Sequence, residues 1–170
     1  MFKKMDIKKI LKESVLYAVI IFLAMNIISY IRSPSLKDNS LKAITSTLID
    51  GSKFSIQNNK MQKPLLVHFW ATWCPTCKLE ADNIQRISEY FNIISVAVKS
   101  GTNQEIKNFM QKHHYTFKVI NDNDGKLASR FMVPAYPTTF IYNSRGEIEF
   151  SEVGYSSYWG LYLRLLWAER

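Results

Sequence analysis

The longest apolar run in the chain covers residues 15–31, VLYAVIIFLAMNIISYI, where only Asn26 and Ser29 interrupt it as polar positions. At about 1.5 Å per residue such a run predicts a helix of roughly 25 Å, slightly short of a hydrocarbon core of about 30 Å. Lys12 and Arg32 at its ends can snorkel, and Tyr17 and Tyr30 suit the two membrane interfaces. The expectation is an uncleaved membrane anchor. A signal peptide would carry a shorter apolar core and small residues before the cut, and Ser29-Tyr30-Ile31 supplies no such site. A buried helix of a soluble domain is a third option, disfavoured because nothing polar alternates along the run. Residues 32–42, RSPSLKDNSLK, are polar with one proline and predict a linker.

Beyond the linker the pattern changes to short alternating elements. Residues 43–49 and 53–56 flank Asp50-Gly51 and predict a hairpin. The run PLLVHFW at 64–70 predicts a strand buried on both faces. Helical spacing follows over 74–91, then a strand at 93–98 and a helix at 104–113. A strand at 117–120 and a short helix at 126–131 come next. Strands at 138–142 and 147–153 are joined by the turn Asn143-Ser144-Arg145-Gly146, and a helix at 157–168 closes the chain. Strands alternating with helices predict an α/β domain over 43–170, with a parallel β-α-β core and a terminal antiparallel hairpin.

The chain has 170 residues, enough for one domain beside the anchor. Net charge is +8, unevenly spread: residues 1–35 carry six Lys or Arg against two acids. Positive charge stays in the cytoplasm, so residues 1–14 are expected inside and the domain outside the inner membrane, in the periplasm. No dense basic run with interleaved aromatics is present, which argues against a nucleic-acid partner.

Both cysteines lie in Cys74-Pro75-Thr76-Cys77, directly after the buried strand and at the start of a helix. Positions i and i+3 of a first helical turn share a face and fall within disulfide range. Unpaired N–H groups and the helix dipole favour a thiolate on Cys74, the expected exposed nucleophile. Cys77, one turn deeper, is the expected buried resolving thiol. Pro75 suits the first helical position because its missing N–H costs nothing there. Half of a zinc site is the bland alternative, but no second cysteine pair exists. A second element, Val133-Pro134-Ala135-Tyr136-Pro137-Thr138-Thr139, precedes an apolar strand. Pro137 cannot sit in a central ladder. A trans turn would fit it alone; with the CxxC upstream, a cis Tyr136–Pro137 bond is expected, presenting the Tyr136 backbone to an incoming chain beside Trp73.

These two stretches, VHFWATWCPTC and AYPTTFIY, resemble the active-site loop and cis-proline segment of the thioredoxin superfamily, over roughly residues 43–153. The tether resembles the TlpA and ResA branch. The segments Val96–Gly101, Val119–Asp122, Tyr158-Trp159-Gly160 and Leu163-Arg164-Leu165 resemble the ScsD type, suppressor of copper sensitivity. The resemblance implies a thioredoxin fold, a central mixed sheet flanked by helices. It implies a periplasmic thiol:disulfide oxidoreductase, with no cofactor beyond the redox-active Cys74–Cys77 pair. Its partners would be protein disulfide substrates and a transmembrane electron donor, with a link to copper tolerance. Two alternatives stay open: a Cu(I)-binding dithiol, with Met132 or His68 as a further ligand, and a reductase for cytochrome c maturation. The pattern is broken at two places. His68 stands where thioredoxins carry a buried Asp; it could relay a proton or be a neutral core residue. Glu80 matches the branch's Glu after the second cysteine, but Asp82 replaces the proline that follows. Glu80 could tune the dithiol or be a first-turn acid favoured by the helix dipole.

Overall fold

The computed structural model describes residues 12–17, 20, 41, 43–56 and 61–170. The chain divides into two units, residues 1–33 and 34–170. Of the first, the described residues 12–17 and 20 are helical and exposed. Most of the expected anchor at 15–31 lies outside the described residues. Among those described, no helix is long and apolar enough to cross a membrane.

The second unit is built on a five-stranded sheet. Its strands are β3 (Leu65–Trp70), β4 (Asn92–Val98), β5 (Val119–Asp122), β6 (Thr138–Tyr142) and β7 (Ile148–Val153), in spatial order β5-β4-β3-β6-β7. β3, β4 and β5 run parallel, while β6 and β7 each run antiparallel to their neighbour. The sheet is therefore mixed, as the alternation and the terminal hairpin predict. Among the described residues four helices accompany it: α1 (Pro75–Ser88), α2 (Asn103–Lys112), α3 (Lys126–Arg130) and α4 (Tyr158–Ala168).

All six residues of β3 are buried because helices or chain cover both of its faces. Leu66 and Trp70 pack with Cys77, Ile84 and Ile87 of α1, Ile106 and Met110 of α2, and Leu161 and Leu165 of α4. Leu65, Val67 and Phe69 face the other way, into Ala128 of α3, Phe131, Phe140 and Tyr142. Period-two alternation thus assigns His68 to the face beneath α1.

The hairpin of β1 (Ile44–Thr47) and β2 (Lys53–Ile56) is a separate antiparallel pair turned at Gly51, whose φ of +95° suits glycine. Leu48 bridges to Ile120, and the Ile49 N–H donates to the Val119 carbonyl at 2.9 Å, so the hairpin lies along β5. Leu41, within the stretch expected as linker, is buried and donates its N–H to the Gly146 carbonyl at 2.7 Å.

Candidate active site

β3 ends at Trp70, and antiparallel β6 begins beside it, with Phe69 opposite Thr138. This register brings two segments, 62 residues apart from Cys74 to Tyr136, to one end of the sheet: the loop into α1 and the turn at Pro137. Loops at the carboxyl ends of parallel strands are where α/β sheets build their sites.

Cys74 is the N-cap of α1, with extended backbone (φ −84°, ψ 117°), and its sulfur accepts the Cys77 N–H at 3.2 Å. Pro75 occupies the first helical turn, and no acid lies in that turn to offset the helix's positive end. Cys74 and Cys77 are joined as a disulfide, with Cα atoms 5.3 Å apart. Tyr136–Pro137 is cis, and the Cys74 sulfur lies 3.6 Å from the Tyr136 carbonyl oxygen. Against expectation Cys74 is not exposed: it is 5% accessible, and Cys77 is 2%. The Tyr136 segment stands against the sulfur.

Trp73 forms the open rim. It is 56% exposed, its ring meets Tyr136 edge to face at 5.9 Å, and its indole N–H donates to the Lys99 carbonyl at 3.0 Å. Lys99 holds φ at +46° to present that carbonyl. The Thr72 N–H donates to Ser100 Oγ at 3.0 Å, which ties the loop before Cys74 to the end of β4. Pro75 is exposed and Thr76 half-buried on the same rim.

His68 is buried, with Nδ1 2.9 Å from Thr139 Oγ1. Burial pulls its pKa down from 6.5 to about 3, so the ring is neutral near neutral pH. Its partner is a side chain of the neighbouring strand β6.

Glu80 lies beyond the first turn of α1 and is 0% exposed, which corrects its reading as a first-turn acid. Neither carboxyl oxygen makes a well-formed hydrogen bond among the described residues; the Ser156 backbone N–H is the polar group that faces it. Burial pushes its pKa up from 4.5 to about 8; the Ser156 backbone N–H opposes that rise and the charge of Glu152 adds to it. Cys77 and Glu80 are three residues apart and share one buried face of α1.

Residues 37–151 match the model of the AhpC/TSA family. The chain belongs to this thioredoxin-like family. A thioredoxin-like protein of Haemophilus influenzae is 31% identical over 97% of this chain and 98% of its own length. Sporulation thiol-disulfide oxidoreductase A of Bacillus subtilis is 35% identical over 62% of this chain and 67% of its own. The crystal structure of StoA from Bacillus subtilis superposes with a TM-score of 0.64 at 25% identity, covering 75% of this chain and 98% of that one. ResA and YneN are further relatives. Within this family the Cys74–Cys77 pair makes the chain a thiol-disulfide oxidoreductase.

The sequence reading overlooked Thr139 as the partner of His68 and Ser100 as the anchor of the active-site loop. It also missed an ion pair between Arg164 of α4 and Glu152 of β7, at 2.9 Å. An acid at an inward position of a strand was the available signal for the last: Glu152 lies two residues from Phe150, which packs on the α1 side of the sheet.

Proposed function

We propose that the chain reduces disulfides of protein clients on the periplasmic side of a bacterial inner membrane, to which residues 15–31 tether it. The observation that carries this is the Cys74 sulfur at 3.6 Å from the Tyr136 carbonyl, at the N-terminus of α1. An extended client segment can pair with the Tyr136 backbone as an added strand, which sets its disulfide over Cys74. In the reduced protein the Cys74 thiolate attacks one client sulfur, and the client's other sulfur leaves as a thiolate. Cys77 then attacks the Cys74 sulfur, the mixed disulfide breaks, and the second client thiol is released. The client gains two electrons and the Cys74–Cys77 disulfide forms. A transmembrane dithiol carrier would return it to the reduced state.

The likeness to the Haemophilus influenzae protein supports the tether, since it runs through the N-terminal segment. The ScsD-type segments support a link to copper tolerance. The test is trapping in cells: with Cys77→Ala the mixed disulfide cannot be resolved, so clients should accumulate on Cys74 in the membrane fraction. Absence of trapped clients, or their appearance in the soluble fraction only, would refute the proposal.

A further inference from the structure

Glu80 needs a way to change its charge. It is buried without a well-formed hydrogen bond, and one turn on from it Asn83 donates to the Ser156 carbonyl at 3.0 Å, which ties α1 beside Glu80 to the loop between Glu152 and α4. Glu152 belongs to a polar row across the sheet beneath α1. Ser95 is opposite His68, His68 is bonded to Thr139, and Thr139 is opposite Glu152. At the outer end of the row, Arg164 Nε lies 2.9 Å from Glu152 Oε1, both side chains mostly buried. A side-chain carbon at Gly160 would come within 2.9 Å of Arg164 Nη1. Glycine there leaves room for the guanidinium to fold back along α4 toward β7. Gly160 and Arg164 thereby act together in placing the pair.

We infer that the Glu152–Arg164 pair is a positioning device for proton transfer at the dithiol: it sets the charge state of Glu80 and so governs when Cys77 is deprotonated. This rests on the dithiol-exchange function proposed above. In the resolving step the Cys77 thiol gives its proton to the Glu80 carboxylate. Its sulfur forms the bond to the Cys74 sulfur, and the Cys74–client S–S bond breaks. The client sulfur leaves as a thiolate and takes up a proton, from Glu80 or from water. The negative charge of Glu152 favours protonated Glu80, and Arg164 offsets that charge. The two residues therefore act on Glu80 with opposite signs.

The other charged or titratable groups nearby are already engaged or neutral. Arg86 of α1 stacks on the Tyr158 ring of α4 at 4.0 Å. Asp82 of α1 accepts the Tyr115 hydroxyl at 2.9 Å. Tyr155, in the loop before α4, accepts the Asn83 amide. His68 of β3 is uncharged near neutral pH.

The test uses the reduced full chain mixed with 5,5′-dithiobis(2-nitrobenzoate) in stopped flow from pH 5 to 9. Attack by Cys74 releases one thionitrobenzoate, and resolution by Cys77 releases the second. The pH midpoint of the second release should fall in Glu152→Gln and rise in Arg164→Gln, each by about half a unit or more. Arg164→Lys, which keeps the charge, should restore the wild-type midpoint. A merely structural pair would not produce opposite shifts. Midpoints that stay put, or move in the same direction, would overturn the inference while the dithiol function stood. Loss of the second release in the wild type would overturn the function itself.

Discussion

The His68 ring and the Thr139 hydroxyl meet at 2.9 Å across the β3–β6 ladder, on the face covered by the helix that carries both cysteines. A neutral imidazole needs this partner, because a buried polar nitrogen left unpaired costs about 1–3 kcal/mol. Thr139→Val should destabilise the domain by that amount in urea titration. It should leave the pH profile of thiol exchange in place, since a ring that takes up its second proton only near pH 3 does not change charge around neutrality. A shifted profile would put His68 on the proton path.

Stability should depend on pH through Glu80. Its folded pKa is raised to about 8 from 4.5, so the folded state holds the proton more tightly. Its contribution is fully present below about pH 4.5 and is lost as pH rises through about 8. His68 acts in the other direction: its depressed pKa costs stability as pH falls from 6.5 toward about 3. The oxidised wild type should therefore be weaker at pH 9 than at pH 5.5, by an amount on the order of a few kcal/mol. Glu80→Gln should remove most of that difference in paired denaturant titrations. An unchanged difference would mean that Glu80 ionises freely in the folded protein.

The two cysteines should differ in charge more than in access. Both are nearly covered, yet only the Cys74 sulfur caps the helix and accepts the Cys77 N–H. In iodoacetamide alkylation against pH, the Cys77→Ala variant should show a Cys74 midpoint below about 8.5. The Cys74→Ala variant should show Cys77 reacting more slowly, with a higher midpoint. Faster reaction of Cys77 would reverse the assignment of nucleophile.

Trp73 should matter for protein clients and little for small disulfides. Its exposed ring stands edge to face with Tyr136 at the mouth of the site, without contacting the Cys74 sulfur through any hydrogen bond. Trp73→Ala should raise KM for a protein disulfide about tenfold or more, the loss of roughly 1.4 kcal/mol of binding. The first thionitrobenzoate release should stay near the wild-type rate. A large fall in that release would mean that Trp73 shapes the nucleophile itself.

The sheet and the dithiol were legible in the sequence for local reasons. An unbroken apolar run such as 64–70 leaves few options, and a CxxC at the start of a helix brings its own chemistry. Turn residues at Asp50-Gly51 and around Gly146 marked the two hairpins. What local pattern could not show was sidedness at long range. Local pattern leaves Glu80 open between an ordinary helical acid and a group that tunes the dithiol, until α1 is laid on the sheet and buries it. Likewise, Thr139 meets His68 across 71 residues, through a strand pairing that the sequence orders but does not register. The Glu152–Arg164 pair joins a strand to a helix. Its members belong to different periodicities, so neither pattern predicts the other.

The bond from Ile49 to Val119 and the bridge from Leu48 to Ile120 have a consequence for solubility. A sheet ends in rows of unsatisfied amides, and an unfolded client is a chain seeking such rows. By lying along β5, the hairpin closes one border of the sheet to uninvited strands. The other border, β7, carries Glu149, and charge on a border strand discourages pairing with a like copy. On the proposed function, half-folded clients would find main-chain pairing at the Tyr136 turn, beside the Cys74 sulfur, and would be denied it along one flank.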